Sequence, residues 1–191
     1  MKLRDRIKPW AQDLAMRFMD DLRPDAVVGA RGDVLEIGFG TGLNLRHYPS
    51  EVRAVWGIDP MATEGVGPVE RRIAQAPFPV ERSALRADDQ LPFDSGRFDC
   101  VVTTWTLCSI PDARAALGEM HRVLKPGGVY LFIEHGRSRT ESTIRWQDRL
   151  NPAWSRFTDG CNINRPVSLD EFKGKGPRLI SHLYRGVAMR S

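Results

Sequence analysis

A short apolar run that ends in three alternating glycines constrains this chain more than any other stretch: Val34-Leu35-Glu36-Ile37-Gly38-Phe39-Gly40-Thr41-Gly42. Apolar residues at successive strand positions imply a sheet covered on both faces. Glycines immediately after such a strand let the backbone turn sharply and leave its amides bare for a ligand. Ala54-Val55-Trp56-Gly57-Ile58, Pro79 to Ser83, Phe98 to Thr104 and Val129 to Ile133 read as further strands. Ala113, Ala116, Leu117, Met120 and Leu124 mark a helix that stops at Lys125-Pro126-Gly127-Gly128. Ile7, Trp10, Leu14, Phe18 and Leu22 mark an N-terminal helix that Arg23-Pro24 should end. Strands alternating with helices predict an α/β fold: a Rossmann-like, doubly wound, mostly parallel sheet with helices on both faces.

The 191 residues favour one domain, 1–191. No apolar run approaches the ~20 residues of a membrane span, and Met1 to Arg6 has no signal-peptide core, so a cytoplasmic protein is expected. Cys100, Cys108 and Cys161 read as too few and too scattered for a disulfide scaffold or a zinc site, and no metal is expected. The net charge of +4 is uneven: residues 137–191 carry 11 basic and 5 acidic side chains. The last third therefore presents a positive surface.

The glycine loop differs from the G-x-G-x-x-G of dinucleotide sites, because Leu43 stands where the third glycine would fall. Glu36, two residues before the first glycine, would repel a pyrophosphate but suits a ligand with positive charge. Asp59, at the end of the second strand, stands where α/β folds grip ribose hydroxyls. A cationic nucleoside satisfies both features.

That loop, Ile58-Asp59-Pro60, Asp88-Asp89-Gln90-Leu91-Pro92-Phe93, Gly96-Arg97-Phe98-Asp99 and Arg122-Val123-Leu124-Lys125-Pro126-Gly127-Gly128 together resemble the class I S-adenosylmethionine-dependent methyltransferases. The resemblance implies S-adenosylmethionine as cofactor and S-adenosylhomocysteine as product. It would set Glu36, Gly38, Gly40, Gly42 and Asn44 by the methionine part and the loop. Asp59 and Pro60 would lie at the ribose, Met61 against the adenine, and Asp88 or Asp89 at the adenine amino group. The backbone at Thr104 and Trp105 would complete the wall. It also implies that the last strand is antiparallel. The linker between Arg165 and that strand is short for the family, so one strand is expected to be missing or reduced near the C-terminus.

The runs Thr106-Leu107-Cys108-Ser109-Ile110, Glu134-His135 and Asp159-Gly160-Cys161-Asn162-Ile163-Asn164-Arg165 narrow the resemblance to the microsomal thiol S-methyltransferases and their bacterial relatives. This implies methylation of small thiols, with residues 137–178 as the substrate-side segment. His135, at the carboxyl end of a strand, is a candidate for the base or cation that promotes a thiolate. Asp159 and Arg165 would orient the acceptor or pair with each other. Cys108 and Cys161 read as pocket-lining or structural, since methyl transfer needs no covalent enzyme intermediate. Animal members begin with a hydrophobic anchor, whereas Lys2, Arg4, Arg6 and Lys8 here mark an amphipathic N-terminal helix. Residues 1–30 are expected as a helical lid, with a peripheral membrane contact as the alternative. A phosphatidylethanolamine-type or other small-molecule N-methyltransferase and a non-catalytic cofactor-binding protein stand as alternative functions. A small-molecule acceptor is the expected partner, nucleic acid is not, and a homodimer could complete the shortened wall.

Overall fold

The computed structural model describes residues 13–14, 16–61, 67–158, 160–166, 173–180 and 183–190. Strands β1 (Gly32–Ile37), β2 (Val52–Ile58), β3 (Val80–Ser83), β4 (Phe98–Thr104), β5 (Leu124–His135), β6 (Lys173–Ile180) and β7 (Leu183–Met189) form one sheet. Their spatial order is β3-β2-β1-β4-β5-β7-β6. The first five run parallel, and β7 lies antiparallel to both β5 and β6. Helices α1 (Arg23–Val27), α2 (Gly67–Gln75), α3 (Ala113–Val123) and α4 (Glu141–Phe157) complete the described elements, with a 3₁₀ turn at Arg17–Leu22 ahead of α1.

The apolar strands are continuous because their odd and even residues feed two separate cores. Leu35, Ile37, Val101, Tyr130 and Phe132 face one side and pack on Ala116, Leu117, Met120 and Val123 of α3. Val34, Val55, Val102, Leu131 and Ile133 face the other and pack with Ala26 and Val27 of α1, Leu45 and Tyr48. A register shift between Phe98 and Cys100 sends Phe98 to the first core although its parity matches the second. Asp112 starts α3 by accepting from the Ala115 amide at 2.9 Å.

Chain order reverses direction across the sheet between β1 and β4, so their carboxyl ends flank the crevice where open α/β sheets take ligands. Three expectations change. The strand expected to be missing or reduced is present: β6 pairs antiparallel with β7 at the edge of the sheet. Its sequence, Lys173-Gly174-Lys175-Gly176-Pro177-Arg178, resembles a loop because an outermost strand tolerates proline and favours lysine. Pro24 opens α1, where its absent N–H costs nothing, and does not mark a helix end. Strand β5 begins at Leu124, before the glycines read as a break. Residues 1–12 and 15 of the expected N-terminal lid, and Asp159, lie outside the described residues.

Candidate active site

Gly38, Gly40 and Gly42 all adopt positive φ, at 73°, 53° and 73°. At Gly38 a Cβ would come within 2.2 Å of the Thr106 side chain, so the loops after β1 and β4 touch only because this residue has none. The Asp59 carboxylate pins the other flank, accepting from the Gly40 amide at 2.9 Å and from the Met61 amide at 2.8 Å. Asp59 and the glycines thus stand together at the mouth of the crevice, with Pro60 and Met61 exposed beside them. Asp13, before the 3₁₀ turn, accepts from Thr41 and pairs with Arg72 at 2.6 Å, which ties that segment to the loop.

Glu36 is not at the mouth. Its carboxylate is buried, accepting from Tyr48 Oη at 2.7 Å and Asn44 Nδ2 at 2.9 Å. Asn44 in turn accepts from Arg23 at 2.8 Å and donates to Thr104 Oγ1 at 3.1 Å. Burial pushes Glu36 up to about 7, although the Tyr48 bond, the Arg23 charge and Asn44 favour its ionised form. These residues brace the loop from beneath, where the sequence places Glu36 and Asn44 beside the ligand. The sequence also gives no role to Arg23, a buried cation whose guanidinium lies 4.9 Å from the centre of the Trp105 ring. Its one signal, an arginine before a proline, reads as punctuation.

Trp105, the residue after β4, stands at φ 53°, the sole non-glycine with positive φ among the described residues. Such strain at a crevice marks a position that its surroundings impose. Its amide donates to Ile133 at 2.8 Å, while the indole Nε1 is buried with no protein partner. Asp88 accepts from the Asp112 amide at 3.2 Å and from Arg86 at 2.9 Å, which leaves Asp89 as the exposed member of the pair.

At the far side, Glu134 is fully buried and accepts from the amides of Thr106 at 2.9 Å and Leu107 at 3.1 Å. Burial pushes it up to about 7. The Arg165 guanidinium donates to the carbonyls of Leu107, at 2.6 Å, and Ile110. Asn162 adds backbone and side-chain bonds to the Cys108 carbonyl at 3.0 and 3.2 Å. The segment after α4 therefore clasps the loop after β4.

Inside that clasp the cysteines read as scattered converge. Cys161 Sγ lies 3.2 Å from His135 Nε2, and these two atoms and Cys108 Sγ lie within 4.8 Å of one another. Trp154 Nε1 donates to Cys161 Sγ at 3.4 Å. The bond from Cys108, reinforced by His135, lowers Cys161 to about 4, while the same bond and burial push Cys108 upward. Burial draws His135 down, but its bond to Cys161 outweighs that and leaves it above its ordinary value. Cys100 is remote from this cluster, in the β4 core.

Helix α4 carries Trp146, Leu150, Trp154 and Phe157 at helical spacing, all exposed, with Arg145, Arg149 and Arg156 beside them. Among the described residues no helix is long and apolar enough to cross a membrane.

A crevice at a switch point, a glycine loop in left-handed conformations and a carboxylate at the end of β2 define a nucleoside-binding α/β protein of the methyltransferase class. Residues 35–132 match the family described as methyltransferase domain, and the chain belongs to that family. Human thiol S-methyltransferase TMT1A is 35% identical over 134 residues, 69% of this chain and 54% of that protein. Human thiol S-methyltransferase TMT1B is 35% identical over 148 residues, covering 75% and 60%. The chain thus spans little more than half the length of these relatives. Phosphatidylethanolamine N-methyltransferase of Cereibacter sphaeroides is 34% identical over 139 residues, covering 65% and 68%. An O-methyltransferase family protein from Burkholderia thailandensis superposes with a TM-score of 0.72 at 18% identity, over 98% of this chain and 59% of that one, and shows the shared fold.

The cofactor of this family is S-adenosylmethionine, and the residues present fit it. The glycine loop is bare where a side chain would intrude, Asp59 offers its carboxylate at the crevice, and the Trp105 indole leaves a buried donor without a protein partner.

Proposed function

We propose that this chain is a methyltransferase acting on small thiols. When bound, S-adenosylmethionine supplies an electrophilic methyl group on a sulfonium centre. The chain's part is to align an acceptor and to favour its anionic form. The glycine loop and Asp59 would hold the nucleoside, braced by the Arg23–Asn44–Glu36 network. Trp105 and Thr106 would carry the wall from the loop toward the acceptor corner.

One observation carries the choice of acceptor: Glu134, the acid at that corner, is fully buried beneath the loop whose amides it bonds. With no surface exposed, that carboxylate does not meet a cationic amine. What remains there is an imidazole and two sulfurs, one of them, Cys161, from the last third of the chain, where basic side chains outnumber acidic ones by six. An anionic sulfur nucleophile suits such a corner. The similarity to human thiol S-methyltransferases supports the same reading.

A second reading, methylation of a lipid amine, draws on the apolar stripe and arginines of α4, which suit an anionic lipid surface, and on the similarity to a phosphatidylethanolamine N-methyltransferase. Incubation of the chain with methyl-labelled S-adenosylmethionine, aliphatic thiols and phosphatidylethanolamine vesicles separates the two. Label in the thiols is expected. Label in lipid alone would overturn the thiol reading, and cofactor binding without label anywhere would make this a non-catalytic binder.

A further inference from the structure

We propose that Cys108, His135 and Cys161 form a three-ligand site for a soft divalent cation, zinc above all, whose fourth position takes the acceptor sulfur. The last clause rests on the thiol reading above; the cation site itself does not.

The donor set is the first argument. Two thiols and an imidazole are the ligands that zinc and its soft neighbours select, and three protein ligands with one position open is the pattern of reactive zinc sites. Distance is the second. Tetrahedral ligands at Zn–S ~2.3 Å and Zn–N ~2.0 Å stand ~3.5–3.8 Å apart. The three donor atoms here lie within 4.8 Å of one another, with sulfur and nitrogen of one pair at 3.2 Å, so small side-chain adjustments close them on one ion.

The third argument is how the donors are held. Each comes from a different anchored element. Cys108 sits in the loop after β4, whose carbonyls at residues 107, 108 and 110 are bonded by Arg165 and Asn162. His135 closes β5, paired across to β7. Cys161 follows α4, and Gln147 from that helix bonds the carbonyls of Gly136 and Ile163 on either side of the cluster. Trp154 Nε1 already donates to Cys161 Sγ, the kind of outer bond that orients a thiolate ligand. Cys108 is buried while His135 and Cys161 are partly exposed, so solvent and small ligands reach the cluster from the side of those two residues. A cluster meant only to fill space would not need arginine, asparagine and glutamine to fix all three of its supports.

The site also meets the reaction. Cys108 follows Trp105 and Thr106, and Thr106 lies against Gly38 of the cofactor loop. An acceptor thiol that takes the fourth position gives its proton to solvent and becomes a bound thiolate. Its lone pair then forms the new bond to the methyl carbon of S-adenosylmethionine. The donor's carbon–sulfur bond breaks, and that electron pair stays on the donor sulfur. The product is a neutral thioether, a weak ligand, and it leaves.

The full chain, expressed and purified without chelators, should carry about one zinc per molecule. Cys161→Ser, Cys108→Ser and His135→Ala should each lose most of it while still binding S-adenosylhomocysteine, which shows that they fold. Cobalt(II) in the metal-stripped protein should give thiolate-to-metal charge-transfer bands and tetrahedral d–d bands, and an added alkanethiol should shift them. Protein that binds S-adenosylhomocysteine yet holds no metal, gives no cobalt–thiolate band, or carries a Cys108–Cys161 disulfide would overturn the cation site. Thiol methylation undiminished after chelation would overturn the cation's role and leave the thiol reading standing. Cobalt bands present but unmoved by any thiol, with no thiol methylated, would keep the site and remove the thiol from its fourth position.

Discussion

The two ends of this crevice are built by opposite means. At the ends of β1 and β2 the working surface is backbone: glycines in the left-handed region, amides aimed at one carboxylate, and a buried polar network beneath. At the end of β5 the working surface is side chain: two sulfurs and an imidazole brought together by a loop, a strand end and the segment after α4. A backbone site depends on the absence of atoms, so its weak points are positions where any added carbon intrudes. A side-chain site depends on supports, so its weak points lie in residues that never touch a ligand.

The largest effect expected from this contrast is at Gly38. A Cβ there meets Thr106 at a φ that L residues avoid, and Gly38→Ala should cost about 4 kcal/mol in strain and overpacking. Calorimetric titration with S-adenosylhomocysteine should show loss of measurable binding in the variant, whereas Cys161→Ala should bind within a few-fold of the parent. Equal losses in both would break the division into two ends.

Next comes the buried network. Glu36 has an ordinary value of 4.5 and rises to about 7 in the folded protein. The folded state holds that proton more tightly, so the contribution is fully present below 4.5 and is lost as pH rises through 7. Relative to the parent, Glu36→Gln should therefore gain up to about 3 kcal/mol between pH 5 and pH 8, read from urea midpoints across that range. A constant offset at every pH would mean that the Glu36 carboxyl titrates as in water.

A smaller loss is expected on the other side. Arg165→Met removes the bonds to the Leu107 and Ile110 carbonyls and should cost about 2 kcal/mol. The comparison sharpens if that variant keeps its affinity for S-adenosylhomocysteine but turns over acceptors more slowly. Smallest of all, Trp146→Glu on the exposed face of α4 should change stability by less than about 0.5 kcal/mol. The same variant tests the lipid reading: co-sedimentation with anionic vesicles should fall only if that face meets a membrane.

The same contrast explains what could be read from residues alone. Alternate glycines, an acid at the end of the next strand and continuous apolar strands are local patterns, and the positive-φ turn, the carboxylate bonded to the loop amides and the two cores follow from them. The burial of Glu36 does not, because spacing places a carboxylate near a loop without saying whether it faces outward or is covered by Tyr48 and Asn44. Arg23 was hidden for a related reason: its partners come from β4 and the turn after the glycine loop. Cys108, His135 and Cys161 belong to three different elements, so no window along the chain holds them together. Strand β6 was concealed by composition, since lysines, glycines and a proline mark outer strands and loops alike. The stripe on α4 has helical spacing, but spacing alone does not say whether Trp146 and Trp154 face a core or solvent.

Asp59 has a consequence for the speed and cost of capture. Two amides already hold both of its oxygens, so a hydroxylated ligand arriving there meets a carboxylate with no rotamer left to freeze. The entropy of ordering such a side chain, roughly 0.5–1.5 kcal/mol, is spent when the chain folds and not when the ligand arrives. The crevice is thus a socket set in advance, and encounter there need not wait for this acid to find its place.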